Sequence, residues 1–156
     1  MDFKYLFTSF NGRIGRQQYW LGILVLMIAS FTLIFVLVLS LGLFLPTPAV
    51  SLIGTVIVVY FWFALNMKRL HDRDKGAMPW AYIFFGPGIL MQLMQLTGVG
   101  FTNTAISGES IMMQPNWLFI AVSLVGGLVA IWALVELGFL KGADGSNKYG
   151  PDPLAK

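Results

Sequence analysis

The chain has 156 residues, of which 57% are hydrophobic and only 11% are charged. Soluble domains carry about 25% charged residues, so this composition excludes a water-soluble globule and predicts an integral membrane protein. The chain has no cysteine and a single histidine, which excludes disulfides, thiolate sites and a multi-histidine metal site. We therefore expect no metal and no other cofactor. The length favours a single domain, residues 1–156.

The first 19 residues are interpreted as an amphipathic arm. Apolar side chains recur at helical spacing over residues 3–10, which predicts a short helix lying in the membrane interface. Arg13 and Arg16 share a face if the next helix has already begun, and Tyr19 would stand at headgroup depth. The two arginines either anchor the arm at the interface or bind one anionic group together.

Four uncharged or nearly uncharged stretches are long enough to cross a bilayer, which needs about 20 residues in a helix. Their side chains do not alternate between apolar and polar, and lipid requires internally paired backbone groups, so helices are expected rather than barrel strands. The sequence predicts an all-α membrane protein with four transmembrane helices, at about residues 20–45, 49–67, 79–96 and 117–140.

All ten Lys and Arg residues lie in three segments, which we call the basic rim: residues 1–19, residues 66–76 and the tail, residues 141–156. The other two connections between the spans contain no Lys or Arg. By the positive-inside rule, the basic rim faces the cytoplasm. Both termini are therefore predicted to be cytoplasmic in a multi-pass protein of the plasma membrane.

The second rim segment carries Arg69, His71, Asp72 and Arg73 where the second span ends. Cations at a helix C-terminus are favoured by the helix dipole, and Asp72 is at ion-pairing distance from Lys68 and Arg69 along a helix. Adjacent residues on a helix point in different directions, so His71 and Asp72 are not expected to form a dyad. Any functional partner of His71 would come from another rim segment.

The tail is rich in turn-forming residues, which favours a segment that folds back onto the rim. A disordered tail is the alternative. Its candidate binding residues are Asn147, Tyr149 and Asp152.

Glu136 is the one charged residue of the fourth span, about 6 Å from its cytoplasmic end at 1.5 Å per residue. Ionisable groups at that depth are costly unless they are paired or functional. Glu136 therefore either relays protons or ions, or forms an ion pair with a nearby arginine: Arg13, Arg16 or Arg69.

Three pieces of the sequence, in this order along the chain, resemble a known family. They are FNGRIGRQQYW at residues 10–20, RLHD at residues 69–72 and GSNKYGPDP at residues 145–153. The family is DUF805, small bacterial inner-membrane proteins of unknown function of the YhaH type. The resemblance implies a four-helix protein of the bacterial inner membrane, and it implies no catalytic residue, cofactor or substrate. The chain departs from the family pattern at residues 75–80, where KGAMPW replaces a Ser-Gly-Trp-Trp-like entry to the third span.

Three functions are compatible with this sequence. The first is a non-enzymatic module whose basic rim binds anionic lipid, a phosphate-bearing ligand or a partner protein, because basic clusters attract anionic headgroups and arginine forks fit phosphate. The second is an enzyme acting on a lipid phosphate, with His71 as acid/base oriented by Asp72 or Asp152. The third is a small transporter or channel subunit that relies on Glu136 and on a kink at Pro87 in the third span.

The expected partners are membrane lipids, with self-association or a larger membrane complex as further options. Nucleic acid is not expected, because the basic residues are held at the membrane. The candidate binding residues are Arg13, Arg16, Tyr19, Arg69, His71, Asp72, Arg73, Asn147, Tyr149 and Asp152.

Overall fold

The structure is a computed structural model, and it describes residues 2–105 and 111–155. The described chain is mostly helical, with one small hairpin. Its elements are α1 (Phe3–Thr8), α2 (Arg16–Leu41), α3 (Thr47–Asp72), α4 (Trp80–Thr97), β1 (Phe101–Ala105), β2 (Ile111–Pro115) and α5 (Trp117–Leu134), followed by a π-helical segment (Val135–Phe139).

Short-range sequence signals set several helix ends. The side chain of Asp2 accepts the backbone N–H of Tyr5 at 3.1 Å and caps α1, and the side chain of Asn116 caps α5 in the same way. Pro48 stands in the first turn of α3, where its missing N–H costs no hydrogen bond. Gly98 ends α4 in the left-handed conformation, φ 74°.

Each of the four predicted spans coincides with a long helix, although the ends differ. Three helices are long and apolar enough to cross a membrane: Arg16–Leu41, Thr47–Asp72, and the run Trp117–Phe139 that joins α5 to the π-helical segment. The 18-residue α4 is not among these three, and its sequence contains Pro87 and two glutamines. The helix α3 continues five residues past the predicted boundary at residue 67, as far as Asp72.

The long helices pack in sequence order, α2 on α3, α3 on α4 and α4 on α5, while α2 meets the fourth run chiefly through the π-helical segment. Buried apolar residues, among them Leu6, Ile14, Leu65 and Leu137, cluster where α1, α2, α3 and the π-helical segment converge. This core therefore lies at the rim end of the bundle. Elsewhere the helices expose large apolar side chains, as expected of surfaces that face lipid.

The connection between α4 and α5 contains an antiparallel hairpin that the sequence analysis does not predict. Strand β1 pairs with β2 in a register that sets Phe101 opposite Pro115. The backbone N–H of Asn116 donates to Gly100 O at 2.9 Å and closes the hairpin onto the start of α5. The hairpin lies at the end of the bundle opposite the basic rim.

Candidate functional site

The centre of the rim is the carboxylate of Asp72, the last residue of α3, which is 4% exposed. Arg13 donates to Asp72 Oδ1 from Nε at 3.2 Å and from Nη2 at 3.1 Å. Arg69, one turn earlier on the same helix face, donates from Nη1 to Asp72 Oδ2. These three residues, which we call the Arg–Asp–Arg cluster, join the N-terminal arm to the end of α3.

The remaining N–H groups of Arg13 hold the tail. Its Nη1 donates to Gly145 O at 2.6 Å and to Gly150 O at 3.3 Å, and its Nη2 donates to Ala143 O at 2.7 Å. The backbone N–H of Ala143 donates in turn to the carbonyl of Asp72 at 2.7 Å. The tail therefore folds back onto the rim. Its backbone carbonyls accept hydrogen bonds from Arg13, which also donates to the Asp72 carboxylate.

Gly142 allows the tail to pass directly over the cluster. A Cβ atom at this position would lie 2.1 Å from Asp72 Oδ2 and 2.6 Å from Asp72 Cγ. The carboxylate cannot move away freely, because Arg13 and Arg69 hold it from two sides. The spacing requires a residue without a side chain at position 142.

The π-helical segment presents its last carbonyls to donors from the other helices. Arg69, which is 0% exposed, donates from Nε to Leu137 O at 2.6 Å and from Nη2 to Leu140 O at 2.5 Å. The indole N–H of Trp20 donates to Gly138 O at 3.1 Å. Helix ends leave carbonyls without intrahelical partners and carry partial negative charge. Here these groups are satisfied by side chains of α2 and α3.

Glu136 lies in the π-helical segment and is 6% exposed. Its Oε1 accepts from Arg73 Nε at 2.9 Å and from Lys75 Nζ at 2.5 Å. The expectation of an ion pair holds, but the expected partners are wrong: Arg13 and Arg69 are committed to Asp72, and Arg16 donates to a backbone carbonyl.

His71, Asn147 and Tyr149 come together and form a second contact between α3 and the tail. The rings of His71 and Tyr149 stack with centroids 3.8 Å apart and planes 6° apart, and Asn147 Nδ2 donates to the carbonyl of His71 at 2.8 Å. His71 Nδ1 lies 3.2 Å from Gly12 O, so this nitrogen carries the proton and donates. Within residues 2–105 and 111–155, neither ring nitrogen of His71 contacts a carboxylate, and the residue packs as part of the tail-docking surface.

Arg13 and Arg16 do not share a helix face, because α2 begins at Arg16 and Arg13 lies in the preceding turn. Arg16 is exposed, and its Nη1 donates to Phe139 O at 3.3 Å. It borders a small cleft of about 20 Å³ together with Lys141 and Asp152. The arginine that reaches the buried carboxylate is therefore the first of the two, and the second remains at the surface.

Asp152 organises the end of the tail. Its carboxylate accepts the backbone N–H of Leu154 at 2.9 Å and that of Gly145 at 3.1 Å. The hydrogen bond from Leu154, followed by that from Gly145, holds the pKa of the Asp152 carboxyl below its ordinary value. Asp152 thus acts on the tail itself and makes no contact with His71 in the described residues.

Tyr19 lies below the rim, where its hydroxyl donates to Asn66 Oδ1 at 2.8 Å. Asn66 is not among the residues predicted from the sequence, although a polar residue in an otherwise apolar helix is a signal of its own. Lys68 is 0% exposed and donates to Ser9 O, not to Asp72, the partner that helical spacing offers it. Lys68 therefore joins α3 to the residues that follow α1, in addition to any interaction with the helix dipole.

The sequence profile of a family described as "Protein of unknown function (DUF805)" matches residues 7–151. The chain belongs to the DUF805 family. This confirms the resemblance seen in the sequence, and the matched range includes all three members of the Arg–Asp–Arg cluster. Asp152 lies just outside it.

Curated relatives from Escherichia coli (strain K12) match nearly the whole chain. "Uncharacterized protein YiiR" is 30% identical over 92% of this chain and 85% of its own length. "Inner membrane protein YhaI" is 29% identical over 94% and 87%, and "Inner membrane protein YhaH" is 28% identical over 94% and 88%. No solved structure matches the chain. Inner-membrane relatives and long apolar helices agree in making this a membrane protein.

Proposed function

We propose that the protein is a non-enzymatic module of the bacterial inner membrane whose basic rim binds anionic lipid headgroups from the cytoplasmic side. Arg16 carries the proposal. It stays exposed beside Lys141 at the rim cleft, while the buried cationic side chains are used internally. The family relationship supports the location in the inner membrane, and the exposed basic groups of the rim support an anionic ligand.

The proposal includes four spans with both termini in the cytoplasm. The helix α3 ends at the rim, and the run of α5 and the π-helical segment ends there as well, so the chain must leave the rim and return between them. The helix α4 makes the outward passage: Lys75 Nζ lies 4.1 Å from the ring of Trp80 at its start. Its 18 residues extend about 27 Å, close to the roughly 30 Å of a bilayer core. If α2, α3 and α5 cross the membrane, α4 crosses it too.

The described basic side chains fall into three groups by exposure, and the exposed group is the one that can meet a ligand. Arg73 and Lys75 are partly exposed and pair with Glu136. Arg13, Lys68 and Arg69 are 6%, 0% and 0% exposed and donate to groups of the protein itself. Binding is therefore assigned to Arg16 and Lys141, the two exposed basic side chains that border the rim cleft, while Lys4 and Lys148 are exposed outside it.

The pair formed by Arg16 and Lys141 suits a headgroup phosphate. Arg16 stands in the first turn of α2, one turn from Trp20, so its guanidinium is held at the depth where an indole meets the interface. A guanidinium offers two parallel N–H donors to a phosphate, which an ammonium does not. Lys141 forms an exposed ion pair with Asp144 at 2.6 Å, and surface pairs of this kind are too weak to prevent a second anion from binding. Each basic group near an anionic surface contributes about 1 kcal/mol.

The test is lipid retention by the full chain, measured by native mass spectrometry after exchange into mixed phosphatidylglycerol and phosphatidylcholine. We expect the wild type to retain phosphatidylglycerol preferentially, and the double variant Arg16→Gln with Lys141→Gln to lose that preference. The double variant Lys4→Gln with Lys148→Gln removes the same charge outside the cleft and should keep it. A wild type that retains both lipids in proportion to the mixture would refute the proposal, and a retained polypeptide instead of lipid would make the ligand a partner protein.

A further inference from the structure

A second feature lies inside the bundle, below the rim. A cavity of about 350 Å³ is lined by side chains of α2, α3, α4, α5 and the π-helical segment. Its wall is mostly apolar and includes the aromatic rings of Trp62, Phe84 and Phe85 and the small Ala133. Ligand sites in proteins typically measure about 300–1,000 Å³ and have this kind of lining. The cavity is separate from the charged groups proposed to bind headgroups.

One buried polar group borders this cavity without a partner. Asn66 is 9% exposed, and its Oδ1 accepts the hydroxyl of Tyr19. Its Nδ2 has no hydrogen-bond partner in the part of the chain that the structure describes. The residue lies about 9 Å along α3 from Asp72, at 1.5 Å per residue, within the apolar part of the helix. This donor opens onto the apolar cavity that Asn66 lines, so it can donate to an acceptor from outside the chain.

The cavity opens towards the membrane. Few polar side-chain groups lie on its wall: the Asn66 amide, the Tyr19 hydroxyl and the Trp62 indole N–H. The side between α2 and α5 faces the bilayer, because Met27 and Leu134 line the cavity and are also 46% and 41% exposed. A molecule dissolved in the membrane can therefore enter from the lipid.

We propose that the cavity binds a membrane-dissolved molecule that places a carbonyl oxygen on Asn66 Nδ2 and an apolar body between Trp62 and Phe84. This ligand site goes beyond the headgroup binding proposed for the rim. Two membrane constituents have the required chemistry, the ring of a lipophilic quinone and the ester of a phospholipid acyl chain. Both combine an acceptor oxygen with a body that the aromatic wall can contact, and the experiment distinguishes them.

The experiment uses the quenching of Trp62, a wall residue, in the full chain reconstituted in phosphatidylcholine nanodiscs. Because the chain has five tryptophans, the Trp62 signal is taken as the difference between each protein and its Trp62→Phe counterpart. One arm titrates decylubiquinone as the probe, and the other replaces the lipid with phosphatidylcholine brominated on its acyl chains. We expect saturable quenching of Trp62 in the first arm, or quenching above that of the other tryptophans in the second.

The variants separate recognition from packing. Asn66→Leu removes the amide at similar size. It should weaken the Trp62-specific quenching by about fivefold to tenfold, the loss of affinity expected from removing one buried hydrogen bond. Ala133→Phe fills the cavity and should abolish the quenching. Ile131→Phe places the same aromatic side chain on the outer surface, where Ile131 is 62% exposed, and should leave the quenching intact.

Each outcome decides the proposal. Loss in Asn66→Leu and Ala133→Phe supports it, and the arm in which the loss occurs identifies the quinone or the ester. Quenching that survives in Asn66→Leu but not in Ala133→Phe would show a chain held without its carbonyl, and overturns it. Equal quenching in Ala133→Phe and Ile131→Phe overturns it as well, and this comparison stands even if Asn66→Leu does not fold.

Discussion

Asp72→Asn is the sharpest perturbation of the rim, because it removes one charge from a buried site at nearly constant shape. The Asp72 carboxylate accepts three hydrogen bonds from Arg13 and Arg69, and all three side chains are at most 6% exposed. An asparagine oxygen can still accept from one guanidinium, but its NH₂ group then faces the other. Two buried cations would remain without a counter-charge, and breaking a buried ion pair in this way costs about 3–5 kcal/mol.

The expected result is a lower melting temperature and a released tail. For a chain of this size, each kcal/mol lowers the melting temperature by about 2–4 °C, so the loss should be about 6–20 °C. The melting temperature is measured in one detergent for every variant. Release of the tail is measured as the rate of trypsin cleavage after Lys148, which should rise because Arg13 no longer has a fixed position from which to hold the tail carbonyls.

Asp144→Asn is the matched control. It makes the same chemical change in an ion pair with Lys141 whose side chains are 82% and 64% exposed, and exposed pairs contribute about 0.2–1 kcal/mol. Its melting temperature should fall by less than about 4 °C. If Asp72→Asn and Asp144→Asn lowered the melting temperature equally, the Arg–Asp–Arg cluster would not be what holds the rim together.

Three further predictions concern the tail and the fourth span. Gly142→Ala should speed trypsin cleavage after Lys148 and lower the free energy of unfolding by about 1–3 kcal/mol through overpacking, because the new Cβ would lie 2.1 Å from a carboxylate oxygen. Gly127 has open space around it, so the control Gly127→Ala should not destabilise the protein. Glu136→Gln should lower the melting temperature by less than the change at the buried cluster, since its two partners are 18% and 28% exposed, and an equal drop would contradict this reasoning. The lowered pKa of Asp152 means that its contribution to the fold of the tail is present above the ordinary Asp value of about 3.9 and is lost as pH falls through the lower folded value. The fluorescence of a dye on the tail should report this loss, and Asp152→Asn should abolish the pH dependence.

The sequence predicts the helices well, because the bilayer leaves few alternatives. Apolar length and the need for internal backbone pairing locate all four long helices, but the ends differ. Hydropathy indicates which residues contact lipid. A helix can continue beyond those residues when the side chains of its last turns are hydrogen-bonded to other parts of the protein. In α3 the last turns contain Lys68 and Arg69, both fully buried against other segments, and the helix extends into the rim for that reason.

The pairing of charges could not be predicted in the same way. Spacing along a helix identifies Arg69 as a partner of Asp72, but it cannot choose between Arg13 and Arg16 for the third position, because that choice depends on where α2 begins. It likewise could not assign Arg73 to Glu136, since the two lie on different elements. The hairpin was missed for another reason: the strands in the 97–116 connection lack a regular alternation of apolar and polar residues.

The Arg–Asp–Arg cluster explains how the rim and the interior depend on each other. It holds two cations and one carboxylate, and the excess charge is met by carbonyls of the tail on the side of Arg13 and of the π-helical segment on the side of Arg69. A buried ionic group of this kind adds little to stability over an apolar substitute. However, its hydrogen bonds all form only when the N-terminal arm, α3, the π-helical segment and the tail are in place together. The same geometry fixes α2 against α3 and so sets Tyr19 opposite Asn66. The amide that faces the cavity is therefore positioned by the assembly above it, and a variant that loosens the rim should disturb the cavity as well.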